Sequence, residues 1–483
     1  MVTSSSVSVK KNFGYNLLLT FCKYLFPLIT YPYVSRVLGV DSIGVCNFVD
    51  GIINFFVLLS ALGVGSYGVR EIAKCRNDET RRNEIFSNLF FFNFVGTGCS
   101  IVLLIVGTQY VPAMYPYKDY VWIGVVKLFF NMFLIEWFFQ GLQKFRYITI
   151  RSILVRLLYV VGVFVFVHDK NDAIVYYALT AITIVLNAVC NWMYARQFGT
   201  FSWKRINLKL YIIPVLTFGY YRMLTYMYTS FNTVFLGFCS GDREVGYFST
   251  ATKLYGIIMG VFSAFTTVMI PRVSELIGAG EMTKVQSIAD KTFSALSKVA
   301  FPVIIVSFIY AKDIVRLIAG AGYEGAETPF RIVIFLMIIV GMEQIVISQF
   351  LMASSSNKSI FLISSVGAVV GLVSNILLTP KFGAVGTSIA WGFSEFSVLC
   401  VGVVALKKKM HIVVRWKEFL ANLAWSLAYI PLPLTLLILY PSLGYVSKVL
   451  VLFAEFGIFV MINFICNKNE LLLNFIKKMK KRG

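Results

Sequence analysis

Residues 216–238 read LTFGYYRMLTYMYTSFNTVFLGF, an apolar and aromatic stretch that carries a single charge, Arg222. A helix needs about 20 predominantly apolar residues to cross the hydrocarbon core of a bilayer, and this stretch is long enough. A guanidinium placed in hydrocarbon costs about 2.5–3.5 kcal/mol on insertion scales. An arginine at this depth therefore indicates a functional site or a buried ion pair rather than a lipid-facing position.

Apolar stretches of this length recur along the whole chain. Of its 483 residues, 58% are hydrophobic and only 14% are charged, whereas a soluble domain is about 25% charged. The composition predicts an all-α polytopic membrane protein. The polar N-terminal residues lead into a long apolar run without a small-residue cleavage site, so we expect a retained first span rather than a signal peptide.

The apolar pattern predicts about fourteen transmembrane helices. We expect them at about 13–35, 43–65, 86–108, 120–140, 149–167, 173–194, 212–236, 247–270, 295–317, 330–352, 358–378, 384–406, 418–438 and 445–466. They are divided into an N-terminal six-helix lobe (1–205), a C-terminal six-helix lobe (206–410), and two extra helices with a basic tail (411–483).

The 44 lysines and arginines are unevenly distributed. Most of them fall in the N-terminus, the C-terminal tail and those connections that fourteen spans place on the same side. Because basic residues concentrate in cytoplasmic loops, both termini are predicted to face the cytoplasm. The same distribution accounts for the net charge of +21. It favours contact with anionic membrane lipids and argues against a nucleic-acid partner.

Several kinds of chemistry find no support in the sequence. The eight cysteines are scattered without a CxxC pair, and the two histidines, His168 and His411, lie far apart. We therefore expect no metal site and no cofactor. A nucleotide-binding P-loop is absent from the sequence, which argues against an ATP-driven pump. The longest predicted outer loop, about 311–329, is short for a catalytic domain, so we predict that the chain is not an enzyme.

The two predicted six-helix lobes share a weak internal repeat. Phe-Gly-Tyr opens the first span at 13–15 and the seventh at 218–220. The first span ends RVLGVDSIGVCNF and the seventh ends VFLGFCSGDREVGYF, each with Leu-Gly, a polar turn, and then a glycine and an aromatic residue. Transporters built from two such halves commonly bind substrate between them, near the bilayer midplane.

Three basic residues are candidates for the lining of a polar cavity: Lys23 in span 1, Arg222 in span 7 and Lys253 in span 8. Arg222 shares a helix face with Tyr226 and Thr229, at spacings of four and three residues. That polar and aromatic face suits a water-filled cavity. Arginine binds phosphate through two parallel hydrogen bonds and lysine adds a point charge, so the pattern predicts an anion site.

Two other interpretations of the basic residues stay open. One is a structural ion pair of Arg222 with Glu343 or Glu395. The other is snorkelling to the interface, which fits Lys127, Arg156 and Lys298 better than the deeper Lys23 and Arg222.

The carboxylates inside predicted spans include Asp50, Glu343 and Glu395. Ionisable groups at this depth are costly and usually have a function or a charged partner. The three residues are candidates for charge partners of the cations or for sites that couple transport to H+ or Na+.

Three further segments give the chain a family resemblance. They are SRVLGVDSIGVCNF at 35–48, LLSALGVGSYGVREIAKCR at 58–76 and FGAVGTSIAWGFSE at 382–395. With fourteen spans, their order resembles the Wzx-type polysaccharide and O-antigen repeat-unit flippases of the multidrug/oligosaccharidyl-lipid/polysaccharide (MOP) exporter superfamily. The resemblance covers essentially the whole chain.

This resemblance implies a MATE-like fold of two six-helix lobes around a central cationic cavity, in a bacterial inner membrane. The implied substrate is an undecaprenyl-pyrophosphate-linked oligosaccharide, which alternating access would carry from the inner to the outer leaflet for surface polysaccharide assembly. Proteins of that assembly are possible partners. Lys23, Arg222 and Lys253 would then bind the pyrophosphate, with Tyr226 and Thr229 beside the sugar.

Two rival functions remain. A cation-coupled drug or small-molecule antiporter of the same fold predicts an acidic cavity, which the basic trio argues against. A membrane glycan polymerase predicts a sizeable outer loop with catalytic arginine or acidic residues. Its best candidate in this chain is the short loop at about 311–329.

Overall fold

The structure is a computed structural model that describes residues 3–199, 201–203, 206–354 and 357–428, together with 430, 431, 433, 447, 454 and 457. These residues form helices and short connections, and none of them lies in a β-strand. The α-helices are α1 (Thr3–Ala61), α2 (Val64–Lys74), α3 (Glu79–Tyr110), α4 (Lys118–Asn131), α5 (Glu136–Gly141), α6 (Phe145–Phe166), α7 (Ala173–Ala195), α8 (Lys209–Thr229), α9 (Phe231–Ser240), α10 (Asp242–Gly278), α11 (Met282–Ile309), α12 (Ala311–Ala319), α13 (Glu327–Ile334), α14 (Leu336–Glu343), α15 (Asn357–Met410) and α16 (Trp416–Leu427). Short 3-10 helices lie at Pro112–Tyr117, Lys170–Asp172 and Glu324–Ala326, and a π-helix at Gln344–Leu351.

The predicted all-α membrane architecture is confirmed. Within the described residues, seven helices are long and apolar enough to cross a membrane, or eight if α13 and α14 with the π-helix count as one bent span. Two of the seven, α1 and α15, each contain two predicted spans. The backbone leaves the helical conformation at Gly39 in α1 and at Gly383 in α15. Fourteen spans are consistent with these helices, and the last predicted span falls almost wholly outside the described residues.

The predicted C-terminal end of the ninth span is wrong. We expected it to continue to about residue 317, but α11 ends at Ile309 and a separate helix, α12, follows Tyr310. The physical reason lies in the sequence of α12, AKDIVRLIA, which is strongly amphipathic and places charges on one face. Such a helix suits an interface better than hydrocarbon.

Two glycine junctions give the internal repeat a structural basis. Gly39 has φ 77° and ψ 173°, and Gly241 has φ 83° and ψ 180°, so the backbone takes the same left-handed turn at both places. Only glycine adopts this conformation without strain. In each case another glycine follows five residues later, Gly44 and Gly246. Gly39 and Gly241 therefore occupy equivalent positions in the internal repeat.

These later glycines make a reciprocal contact. A Cβ atom placed on Gly44 would lie 1.8 Å from the carbonyl oxygen of Asp242, and one placed on Gly246 would lie 2.4 Å from that of Val40. The start of the second half of α1 and the start of α10 therefore touch through their backbones. Small residues allow this approach between membrane helices.

The chain divides into two compact units. Unit 1 comprises Met1–Ser249 and Gly371–Trp391, and unit 2 comprises Thr250–Val370 and Gly392–Gly483. The lobes predicted at 1–205 and 206–410 and the appended segment 411–483 stay a prediction.

Unit 1 contains two large apolar clusters. One is centred on buried aromatic residues such as Phe86, Phe90 and Phe138 from α3 and α5. The other gathers residues of α1, α4, α7 and α10 around Phe48 and Tyr177. These clusters fix the helices that carry most of the candidate site residues.

Unit 2 is organised around α11, which packs on α14 and α16. A hydrogen bond between buried side chains, from Asn422 Nδ2 to Ser297 Oγ at 2.8 Å, ties α16 to α11.

Candidate functional site

Arg222 lies in the middle of α8, where the sequence placed it. Its side chain is exposed and comes close to the first turn of α2, since a Cβ atom on Gly65 would lie 3.3 Å from Arg222 Nη1. Within unit 1, the described residues offer the guanidinium no hydrogen-bond or ion-pair partner. Lys23 of α1 is likewise exposed and has no such partner among them. Both charges are therefore available to an anion.

The other three predicted binding residues have different surroundings. Tyr226 donates its hydroxyl hydrogen to the carbonyl oxygen of Gly51 at 2.8 Å, which fastens α8 to α1. Thr229 donates to the carbonyl oxygen of Thr225 within α8, also at 2.8 Å. Both hydroxyls can still accept hydrogen bonds from a ligand. Lys253 is half-buried in α10 and belongs to unit 2.

Asp50 is the charge partner of Lys127. The ammonium of Lys127 bonds to Asp50 Oδ1, lies 3.3 Å from Thr180 Oγ1 and stands 4.5 Å above the ring of Tyr177. Lys127 is only 5% exposed, so the interpretation as a snorkelling lysine is wrong, and the alternative of Asp50 as a charge partner is the one that the structure shows. A carboxylate on α1 neutralises it instead, because an unpaired ammonium in hydrocarbon is costly.

A second ion pair escaped the sequence reasoning. The buried guanidinium of Arg151 in α6 binds Glu136 Oε1 through Nη2 at 2.5 Å and also bonds to Asn191 Oδ1 in α7. Arg151 falls within the predicted span 149–167, but no partner was predicted for it from the sequence. Glu136 and Asn191 are 15 and 40 residues away from it, and no helical periodicity connects such distances.

Glu343 and Glu395 come together in unit 2. A side-chain hydrogen bond joins their two carboxyl groups, and Glu395 is 3% exposed. The Oε2 atom of Glu343 is buried without a hydrogen-bond partner in the described part of the chain. A hydrogen bond between two carboxyl groups requires a proton on one of them. This pair can therefore hold and release a proton.

The local backbone helps to place this pair. Glu343 ends α14, and the next residue begins the π-helix Gln344–Leu351. Such widened turns are uncommon and are frequent at functional sites. The side chain of Gln344 bonds to Ser263 and Thr266 of α10, at 3.1 Å and 3.2 Å. Those bonds fix the helix beside Glu343.

The described residues contain no group of three His, Cys, Asp or Glu side chains that could hold a metal ion. Glu455, a carboxylate without an assigned role, lies outside the described residues.

Comparison with known proteins identifies similar sequences. A profile of the family described as "Polysaccharide biosynthesis protein" matches residues 9–277, and the MatE family profile matches residues 220–377. The Escherichia coli K12 protein named "Putative O-antigen transporter" is 23% identical over 419 residues, which cover 85% of this chain and 100% of that protein.

Solved structures share the fold. The structure titled "Lipid II flippase MurJ, inward closed conformation" has a TM-score of 0.72 at 12% identity, and the match covers 92% of this chain and 98% of that one. An inward-facing multidrug resistance MATE family transporter of the MOP superfamily has a TM-score of 0.62 at 15% identity, with 80% and 94% covered. The MATE-like fold is thereby confirmed, and the two family profiles confirm the resemblance to the polysaccharide exporters.

Proposed function

The chain belongs to the polysaccharide biosynthesis protein family, and we propose that it is a flippase for an undecaprenyl-pyrophosphate-linked oligosaccharide. The substrate would move from the inner to the outer leaflet of a bacterial inner membrane, for assembly of a surface polysaccharide. Relatives named as O-antigen transporters, and one named as a probable glycan biosynthesis flippase, support a glycan as the substrate class. Both termini would face the cytoplasm, as the distribution of basic residues predicts.

The observation that carries this proposal is the exposed guanidinium of Arg222 in the middle of α8, which the sequence predicts to be a membrane span, without a charge partner among the described residues of unit 1. Such a charge is costly unless it faces water and binds an anion. A pyrophosphate supplies that anion, and the planar guanidinium fits two of its oxygens at once. Lys23, which also belongs to unit 1, would add a point charge, and the same role for Lys253 stays a prediction.

The sugar would occupy the polar and aromatic face that continues from Arg222 along α8. Tyr226 and Thr229 have already donated their hydroxyl hydrogens to the backbone, so they would accept hydrogen bonds from sugar hydroxyls. The ring of Tyr226, tilted against Phe55 at 6.0 Å, offers an apolar surface for stacking.

We assign ion coupling to Glu343 and Glu395 rather than to Asp50. The charge of Asp50 is already neutralised by Lys127, so Asp50 is a poor site for a second cation. Glu343 and Glu395 interact directly, and a hydrogen bond between two carboxyl groups requires a proton on one of them, which favours H+ over Na+ as the coupling ion.

The proposal is tested by depleting the protein in its native cell and extracting the lipid fraction. We expect single lipid-linked repeat units to accumulate on the cytoplasmic leaflet while surface glycan falls. The variants Arg222→Lys and Arg222→Gln should fail to restore surface glycan, because neither side chain offers the charged two-pronged contact. Lys209→Gln is the matched control, since Lys209 is an exposed cation at the start of the same helix.

Three results would count against the proposal. Unchanged repeat units and unchanged surface glycan, in a cell without a second exporter, would remove the substrate. Greater sensitivity of the Arg222→Gln strain to organic cations, with glycan unaffected, would favour the drug antiporter. Formation of glycosidic bonds by the purified chain would favour the polymerase.

A further inference from the structure

A cavity of about 950 Å³ opens between α6 and α7 in unit 1, away from Arg222 and Tyr226. It lies at the ends of these helices that meet the connections 141–144 and 196–199. The charge distribution assigns those connections to the cytoplasmic side. No step of the proposed transport uses this cavity.

Its walls are two apolar stripes. Ile150, Leu154 and Leu158 follow one another at every fourth residue along α6, and Leu186 and Met193 line the facing side on α7. Leu158 is 60% exposed and Met193 65% exposed, so both face the hydrocarbon of the bilayer.

The length of the cavity matches one leaflet. Its lining residues on α6 run from Arg146 to Leu158, which spans roughly 18 Å at 1.5 Å per residue. Half of a hydrocarbon core about 30 Å thick is close to that length. The cavity is therefore long enough for the headgroup and the adjoining acyl segment of a lipid in one leaflet.

The mouth of the cavity is cationic. Lys144, Arg146 and Arg151 line it, and among the described residues only one carboxylate, that of Glu136, pairs with any of them. Arg151 is 6% exposed, and its Nε atom is buried without a hydrogen-bond partner among those residues. The Tyr147 hydroxyl, which also lines the cavity, is buried and unpartnered in the same way.

The floor beneath this mouth is rigid. The rings of Tyr147 and Tyr194 stack with centroids 3.8 Å apart and join α6 to α7, while Arg151 is held by Glu136 and Asn191. Two unsatisfied donors, Arg151 Nε and the Tyr147 hydroxyl, are therefore held at fixed positions where the cationic mouth meets the apolar walls. Buried donors without partners are rare in native proteins and point to a missing acceptor.

We propose that this cavity is a binding site for an anionic phospholipid of the cytoplasmic leaflet. The phosphate would accept from the Arg151 Nε and Tyr147 hydroxyl groups beneath the charges of Lys144 and Arg146. One acyl chain would lie between the stripes of α6 and α7. The lipid would brace α6 against α7 and thereby stabilise the Arg151–Glu136 pair.

The proposal is tested by native mass spectrometry of the full chain in detergent, titrated with phosphatidylglycerol and, separately, with phosphatidylcholine. The double variant Lys144→Gln with Arg146→Gln should weaken phosphatidylglycerol binding by roughly 25-fold, about fivefold for each cation lost. Its phosphatidylcholine binding should not change. Lys408→Gln with Lys409→Gln is the matched control, because it removes two exposed cations at the end of α15 that do not line the cavity, and it should leave binding unchanged.

A second variant tests the apolar wall without altering charge. Leu158→Trp should fill the space between the stripes and weaken the binding of both lipids. Equal losses in the cavity variant and the control, or no loss in either cavity variant, would overturn the proposal. Displacement of the lipid by millimolar inorganic phosphate would also overturn it, since the acyl chain would then contribute nothing. Preferential binding of a polyprenyl phosphate over phosphatidylglycerol would assign the cavity to the lipid carrier and refute the phospholipid.

Discussion

Gly44 and Gly246 allow a close backbone contact because they have no side chain. Each places its backbone against a carbonyl group of the opposite segment, with room for no further carbon atom. We expect Gly44→Ala to lower the stability of the protein by about 1–3 kcal/mol, because the new methyl group forces the two backbones apart. Thermal unfolding in detergent measures this loss.

Gly98→Ala in α3 is the matched control for that variant, because a Cβ atom there meets nothing within 4 Å. It should be neutral or slightly stabilising, since alanine favours a helix more than glycine does. Equal melting temperatures for the Gly44→Ala variant and the unmodified protein would contradict the close approach.

Single residues differ in how far the sequence alone identifies them. Arg222 stands out because a charge in an apolar stretch needs an explanation wherever the helix lies. The ion pair of Lys127 could not be predicted, because its partner Asp50 is 77 residues away and only the packing of α4 against α1 brings them together. The buried Nε atom of Arg151 is a feature of packing as well, and composition gives no sign of it.

At the scale of elements, the Asp50–Lys127 pair ties α1 to α4, and Thr180 adds α7. The side chain of Lys127 is 7% exposed and that of Asp50 is 39% exposed. Asp50→Leu should therefore destabilise the protein more than Lys127→Met, because it leaves the buried member of the pair charged and unpaired. We expect a cost of about 3 kcal/mol for Asp50→Leu, at the lower end of the range for a broken buried pair.

The double variant Asp50→Leu with Lys127→Met should recover part of that loss, since no unpaired charge remains. Chemical or thermal unfolding of the four proteins completes the cycle. The exposed pair Arg272–Glu275 serves as control, and Arg272→Met should change stability by less than about 1 kcal/mol. Additive effects of the two single changes would argue that Asp50 and Lys127 do not interact.

Hydropathy predicted the existence of the helices better than their ends. It placed both spans of α1 and both spans of α15, because apolar length is a property of the chain itself. It ran the ninth span past Ile309, because the alanines and aliphatic residues of α12 resemble a span when their charged face is ignored. The π-helix after Glu343 coincides with the tertiary contacts of Gln344, and a local sequence pattern cannot predict such contacts.

At the scale of the whole molecule, the order of three loose motifs along fourteen spans was enough to predict the superfamily. Each motif alone is short, but their sequence and spacing follow from a fold in which glycines sit at helix junctions, as Gly39 and Gly383 do. The pairing of Glu343 with Glu395 could not be predicted, because the two residues lie on α14 and α15, 52 positions apart in the chain.

That pairing leads to a prediction about energy coupling. Glu343→Gln and Glu395→Gln each keep a hydrogen-bonding side chain but remove one of the two carboxyl groups proposed to bind the coupling proton. We expect flipping in proteoliposomes to lose its acceleration by a proton gradient, while binding of the lipid-linked substrate persists. Glu275→Gln, a change at an exposed acid, should retain the acceleration. Gradient-driven flipping that survives both glutamine variants would place coupling elsewhere.

The reciprocal glycine contact sets a condition on the transport cycle. Val40 and Gly246 come from the two predicted lobes, and the charge distribution places their junctions on the outer side. Release of substrate to the outer leaflet by alternating access requires such outer ends to separate. The side chains of Tyr117 and Asp242 meet beside this contact, where the Tyr117 hydroxyl donates to Asp242 Oδ1 at 2.7 Å. A short bis-thiosulfonate cross-link between Tyr117→Cys and Asp242→Cys should therefore stop flipping, and a reductant should restore it. The eight native cysteines must be replaced first, and each single cysteine variant should transport equally well with and without the cross-linker. Full transport by the cross-linked protein would mean that this contact stays closed throughout the cycle, so that the substrate must leave by a path that does not pass between these two junctions.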